Sequence, residues 1–122
     1  MNPMVASVGA TDAPMAPAGD VREWRRTIIA AARIAGWRTA SIPRRTIDND
    51  TPGFPDLVLV HGGAARIWFV KLRRDGVARA LGPGTALWGE TIIAAGGVWR
   101  LISCPSGLDA FRADLVDAVR PT

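Results

Sequence analysis

The 122-residue chain has one cysteine, Cys104, and one histidine, His61. A single thiol cannot form an intramolecular disulfide or a thiolate metal cluster, so both classes of framework are excluded and a reducing compartment is favoured. No apolar run approaches the roughly 20 residues of a membrane span. The N-terminus also lacks the basic and apolar regions of a signal peptide. We therefore expect a cytoplasmic protein that does not contact a membrane.

Lysine is almost absent from the chain. Of its 15 basic residues only Lys71 is a lysine, and tyrosine is missing altogether. The net charge of +4 and the pI near 10.9 favour a polyanionic partner. What is abundant is apolar: 48% of the residues are hydrophobic, enough to bury one modest core but not two.

The composition changes at Asp20. Residues 1–19 consist mainly of Ala, Pro and Gly with almost no charge, which predicts a flexible tail unless a protein assembly orders it. Residues 20–122 carry the periodic apolar patterns of a folded domain. We therefore predict two segments, a flexible tail and a single domain.

The domain is predicted to have the element order α-β-β-β-α-β-α, an α/β (α+β-like) fold with a mixed central sheet flanked by helices. A run at 57–60 is apolar throughout, which is typical of a central strand covered on both faces. In the next strand, alternation assigns Lys71 and Arg73 to one face. The predicted helix starts are a capping box at Asp20 with Glu23, a cap at Thr85, and a capping box at Ser106 with Asp109.

The residues at the joints between these elements resemble the VRR-NUC family of the PD-(D/E)xK nuclease superfamily. The resemblance is carried by Gly36-Trp37, by the block GFPDLVLV at 53–60, by the strand 69–73, and by Ser103-Cys104-Pro105-Ser106. It covers roughly residues 20–115 and implies a restriction-endonuclease-like domain. In this family, the Asp of Pro-Asp and the Glu of a Glu-x-Lys motif hold a divalent metal, and the lysine acts on the attacking water.

The catalytic motif of the family is altered in this sequence. Asp56 matches the metal-binding aspartate, whereas Lys71 stands at the glutamate position and Arg73 at the lysine position. An ammonium ~4 Å from a dication raises the energy by about 8 kcal/mol at an effective dielectric constant of about 20. We therefore expect Lys71 to occupy the position of the metal and to pair with Asp56, which leaves the protein without a metal cofactor and without catalysis.

DNA is the partner that this altered site favours. A guanidinium is a good phosphate clamp but a poor activator of water, so Arg73 indicates binding without cleavage. Arg44, Arg45 and Arg74 complete the predicted nucleic-acid contacts. The first helix also carries arginines that could follow phosphates, although a solvated face is the simpler interpretation; these are Arg22, Arg25, Arg26 and Arg33.

Three functions remain open at this point. The first is an inactive nuclease-fold protein that serves as a DNA-binding or structural module, compatible with a phage origin, a place in the virion and a homodimer. The second is an active Mg²⁺- or Mn²⁺-dependent endonuclease or junction resolvase, in which a relocated carboxylate joins Asp56; Glu90 is the main candidate, with Asp75 and Glu23 as others. The third is a regulator that binds a protein in the old cleft.

Two further residue types have simpler interpretations. His61 follows a strand, and a role in a turn outweighs one as a general base. The five tryptophans are predicted to lie in the core, with Trp37 and Trp88 kept as candidates for base stacking.

Overall fold

The computed structural model describes residues 20–42, 53–76 and 81–121, and these residues form the predicted order of elements. Residues 1–19, and with them the predicted flexible tail, lie outside the described residues, as do Arg44 and Arg45. None of the helices in the described ranges is long and apolar enough to cross a bilayer. The elements are α1 (Val21–Ile34), β1 (Arg38–Ser41), β2 (Leu57–His61), β3 (Arg66–Arg74), α2 (Pro83–Ala94), β4 (Val98–Cys104) and α3 (Leu108–Asp117).

The four strands form one mixed sheet in the order β1-β2-β3-β4. β1 pairs antiparallel with β2 and β2 antiparallel with β3, whereas β3 and β4 are parallel. A parallel pair needs a crossover connection, and α2 supplies it. The prediction of a mixed sheet with β2 in its interior is confirmed.

The core lies on one face of the sheet, where α1 and α3 pack. Trp68, Val70 and Leu72 of β3 are buried on this face, as the alternation predicts, while Lys71 and Arg73 point to the other. Trp37 belongs to this core: its ring centroid is 4.9 Å from that of Trp68, and its Nε1 donates to the carbonyl of Leu115 at 3.0 Å. A base-stacking role for Trp37 is therefore ruled out by its burial.

The predicted cap of α1 is present, because the Asp20 carboxylate accepts a hydrogen bond from the backbone N–H of Arg22 at 2.9 Å. The predicted starts of the other two helices are wrong. α2 begins at Pro83, a residue favoured at the first helical position, so Thr85 lies inside the helix. α3 begins after Gly107 because the N–H and hydroxyl of Ser106 both donate to Asp75, at 2.8 and 2.7 Å.

The prediction that β2 is covered on both faces is also wrong. Leu57 and Leu59 are fully buried, but Val60 on the opposite face is 37% exposed and its cross-strand partner Ile67 is 53% exposed. Among the described elements, α2 packs mainly against β4, which leaves Val60 and Ile67 partly exposed on this face.

Candidate functional site

Asp56 is fixed at the point where β1, β2 and β3 meet. It immediately precedes β2, its backbone N–H donates to the carbonyl of Val70 at 2.8 Å, and its carbonyl accepts from the N–H of Ile42 at 2.9 Å. The residue is only 2% exposed. The short run from Gly53 to Asp56 therefore delivers a carboxylate to a buried position with little freedom to move.

Both oxygens of this carboxylate are occupied. Oδ2 accepts a hydrogen bond from the backbone N–H of Leu72 at 2.8 Å and lies 3.9 Å from Nζ of Lys71. Oδ1 lies 3.5 Å from Nη2 of Arg25. The predicted ion pair between Asp56 and Lys71 is thus present, and a second cation joins it.

Arg25 is the residue that the sequence pattern missed. Its position on the polar face of α1 predicted a solvated side chain, yet only 18% of that side chain is exposed. Its Nη1 donates to Oγ of Ser41 at 2.9 Å and to the carbonyl of Ile42 at 3.3 Å. Ser41, Ile42 and Asp56 are 16, 17 and 31 residues away from Arg25 along the chain, so no local sequence pattern predicts these contacts.

The remaining predicted contact residues are divided between the two faces of β3. Lys71 and Arg73 share one face, where both are partly buried. Arg74 lies on the opposite face, and its guanidinium carbon is 5.3 Å from the centre of the Trp24 ring. The sheet therefore brings two of the predicted cations together and separates the third from them.

None of the candidate replacement carboxylates is brought to Asp56 by a contact in the described chain. Glu90 and Glu23 are exposed on α2 and α1, and Asp75 accepts both hydrogen bonds from Ser106. Within the described ranges, no three His, Cys, Asp or Glu side chains are grouped as metal ligands. A hard dication prefers several oxygen ligands, so one carboxylate flanked by two cations does not fit it.

Cys104 lies behind the site at the end of β4 and is fully buried. Burial, together with the nearby negative charges of Asp75 and Asp56, raises the pKa of its thiol to about 11. Such a thiol remains protonated near neutral pH and is a poor nucleophile. It acts as part of the core and not as a reactive group.

His61 and Trp88 both have structural partners. Nδ1 of His61 accepts a hydrogen bond from the backbone N–H of Ala64 at 3.0 Å, which agrees with the predicted role in the turn. The Trp88 ring packs edge-on against Phe54 at 4.8 Å, and Phe54 packs against Phe69 of β3 at 6.5 Å. These contacts anchor α2 to the segment that leads to Asp56.

Comparison with known proteins gives a likeness in structure alone. No family model and no curated protein matches the sequence. A solved structure described as "VRR_NUC domain" superposes with a TM-score of 0.55 at 16% identity, covering 74% of this chain and 90% of the other. A second, described as a "VRR_NUC domain protein", has a TM-score of 0.54 at 12% identity, covering 77% and 88%. The chain therefore has the fold of the VRR-NUC domains.

Proposed function

We propose that this protein is a nuclease-fold domain that binds DNA without metal-dependent cleavage. The observation that carries the proposal is the pair of cations at Asp56: Arg25 faces one carboxylate oxygen and Lys71 the other. In a metal-dependent nuclease this carboxylate would be free to hold the ion. Here its two oxygens are already engaged by side chains of the protein.

Electrostatics supports the loss of the metal. At ~4 Å and an effective dielectric constant of about 20, a dication gains about 8 kcal/mol from one carboxylate and loses the same amount to each neighbouring cation. With Arg25 and Lys71 both beside Asp56, repulsion exceeds attraction. A divalent ion is therefore expected to bind elsewhere or not at all.

The distribution of charge supports a nucleic-acid partner. Two cations share the single Asp56 carboxylate, and Arg73 adds a further positive charge on the same face of β3. On α3, by contrast, Arg112 is paired with Asp109 of the same helix, at 3.3 Å. Positive charge thus exceeds negative charge beside Asp56, where phosphates of the DNA backbone would be attracted.

The proposal is tested by measuring the affinity for a labelled duplex and a labelled four-way junction with EDTA, with Mg²⁺ and with Mn²⁺. We expect binding in EDTA that Mg²⁺ and Mn²⁺ do not strengthen, and intact DNA after prolonged incubation. Arg73→Gln should weaken binding roughly tenfold through loss of a charge-assisted phosphate contact. The matched control is Arg112→Gln, which removes an exposed, already paired arginine and should leave the affinity unchanged.

Two outcomes would contradict the proposal. Metal-dependent cleavage that disappears in Asp56→Ala would favour an endonuclease with a relocated ligand. A folded protein with no affinity for either DNA would favour a regulator that holds a protein in the cleft.

A further inference from the structure

We infer that Arg25 and Lys71 together take the place of a divalent ion at Asp56, so that restoring the catalytic residues of β3 alone does not restore metal binding. This inference rests on the metal-free site of the proposed function and deepens it. It assigns to Arg25, a residue of α1, the role of a positioning residue that fixes a second positive charge beside Asp56.

The contacts of Arg25 hold it in place independently of Lys71. Its guanidinium is tied to Ser41 and Ile42 at the end of β1 as well as to Asp56. Its Nε is buried and has no hydrogen-bond partner among residues 20–42, 53–76 and 81–121. A side chain held at three points and largely removed from solvent cannot easily swing away to admit an ion.

The charges make the two cations equivalent to one dication. Each contributes one positive charge, and each faces a different oxygen of Asp56. Lys71→Glu would remove one of these charges and add a carboxylate. Arg25 would still pair with Oδ1 of Asp56 and keep one positive charge at the site. The metal would still have to displace a cation that the fold supplies.

The experiment uses three variants of the full chain and no DNA. The first combines Lys71→Glu with Arg73→Lys, the second adds Arg25→Gln, and the third adds Arg112→Gln instead as the matched control. Mn²⁺ is titrated into each by calorimetry, and the shift in Tm with Mn²⁺ provides a second readout. We expect no binding tighter than about 1 mM for the first and third variants, and an affinity at least roughly tenfold higher for the second.

Rescue by Arg25→Gln that is not reproduced by Arg25→Lys would show that the charge of residue 25, and not its shape, excludes the ion. Equal Mn²⁺ affinity of the first and second variants, at any strength, would overturn the inference. If Arg25→Gln prevents folding, Arg25→Met keeps the apolar part of the side chain and is titrated in its place. DNA affinity of the unaltered protein is not involved, so failure here and failure of the proposed function are separate results.

Discussion

At the scale of single residues, Asp56 combines burial with charge. Among the contacts that its carboxylate makes within the described ranges are one backbone N–H and two cations, and only 2% of the residue is exposed. A buried ion pair contributes little net stability relative to an apolar replacement, but removing one partner leaves the other charge buried without compensation. The site should therefore tolerate the loss of its aspartate poorly.

Asp56→Ala is expected to lower the free energy of unfolding by about 3–5 kcal/mol, because Lys71 and Arg25 lose their counterion and the N–H of Leu72 loses its acceptor. Urea denaturation measures the change. Asp117→Ala is the matched control: it removes an exposed partner of Arg120 and should cost at most about 0.5 kcal/mol. A loss below about 1 kcal/mol for Asp56→Ala would mean that the carboxylate does not stabilise the site.

The raised pKa of the Cys104 thiol predicts that the protein loses stability at alkaline pH. Its pKa is raised from 9.0 to about 11 on folding, so the unfolded chain releases the thiol proton first. The contribution of this pKa difference to the free energy of unfolding is complete below pH 9 and is lost as the pH rises towards 11. The loss reaches about 2–3 kcal/mol, since each pKa unit corresponds to about 1.4 kcal/mol.

Urea denaturation at pH 8, 9, 10 and 11 checks this prediction, and Cys104→Ala provides the reference. Both proteins carry the same arginines and lysine, so other titrations cancel in the difference between them. Parallel stability curves for the two proteins would contradict the assigned pKa.

At the scale of elements, the packing of α2 against β4 depends on a small residue. Gly89 is buried against β4, and a Cβ atom at this position would lie 3.0 Å from two ring atoms of Trp99. Glycine inside a helix normally costs about 1 kcal/mol relative to alanine. Here it permits the close approach of the helix to the sheet.

Gly89→Ala is therefore expected to destabilise the protein by up to about 2 kcal/mol, because overpacking against Trp99 costs about 1–3 kcal/mol and the gain in helix propensity is about 1 kcal/mol. The midpoint of urea denaturation measures the effect. Gly62→Ala is the control, since a Cβ atom there meets nothing within 4 Å. An increase in stability for Gly89→Ala would show that Trp99 moves aside at little cost.

The order and faces of these elements could be predicted from local patterns. Alternation in β3 correctly separated buried Trp68 from Lys71, and helical spacing identified the buried face of α1. Contacts between distant residues could not be predicted in this way. Serine is a residue type typical of helix caps, but Ser106 instead donates to Asp75. Arg25 lies at a position where helical spacing predicts a surface residue, but it pairs with Asp56.

In the candidate site, too, features set by local sequence could be predicted and contacts between distant residues could not. The position of Asp56 before β2 and that of Lys71 within β3 follow from local patterns, whereas their pairing was expected from the resemblance to the VRR-NUC family. The contribution of α1 could not be predicted, since it depends on how the helix crosses the end of β1. The exposure of Val60 was not predicted either, because the place where α2 packs on the sheet depends on contacts between distant residues.

At the scale of the whole molecule, the fold is shared with proteins of low sequence identity. The backbone superposes on two VRR_NUC structures with TM-scores of 0.55 and 0.54 at 16% and 12% identity. A fold can persist while the chemistry of its site changes, because packing depends on many residues and catalysis on few.

The proposed binding to DNA, which the net charge of +4 favours, is expected to weaken as the salt concentration rises. Each phosphate contact releases a condensed counterion, so the logarithm of the affinity falls linearly with the logarithm of the salt concentration. Arg73→Gln should reduce the magnitude of the slope by about one. Affinity measured between low and physiological salt checks this, and an unchanged slope would mean that Arg73 does not contact a phosphate.

The contact between Trp37 and Trp68 gives the molecule an optical marker of its own. With five tryptophans and no tyrosine, its near-ultraviolet spectrum is dominated by indole rings. Two of these rings lie 4.9 Å apart at an angle of 49°, close enough for their electronic transitions to couple. The circular dichroism of this ring pair reports on the face of the sheet against which α1 and α3 pack. Its loss during unfolding would therefore show when these two helices separate from the sheet, without an added dye.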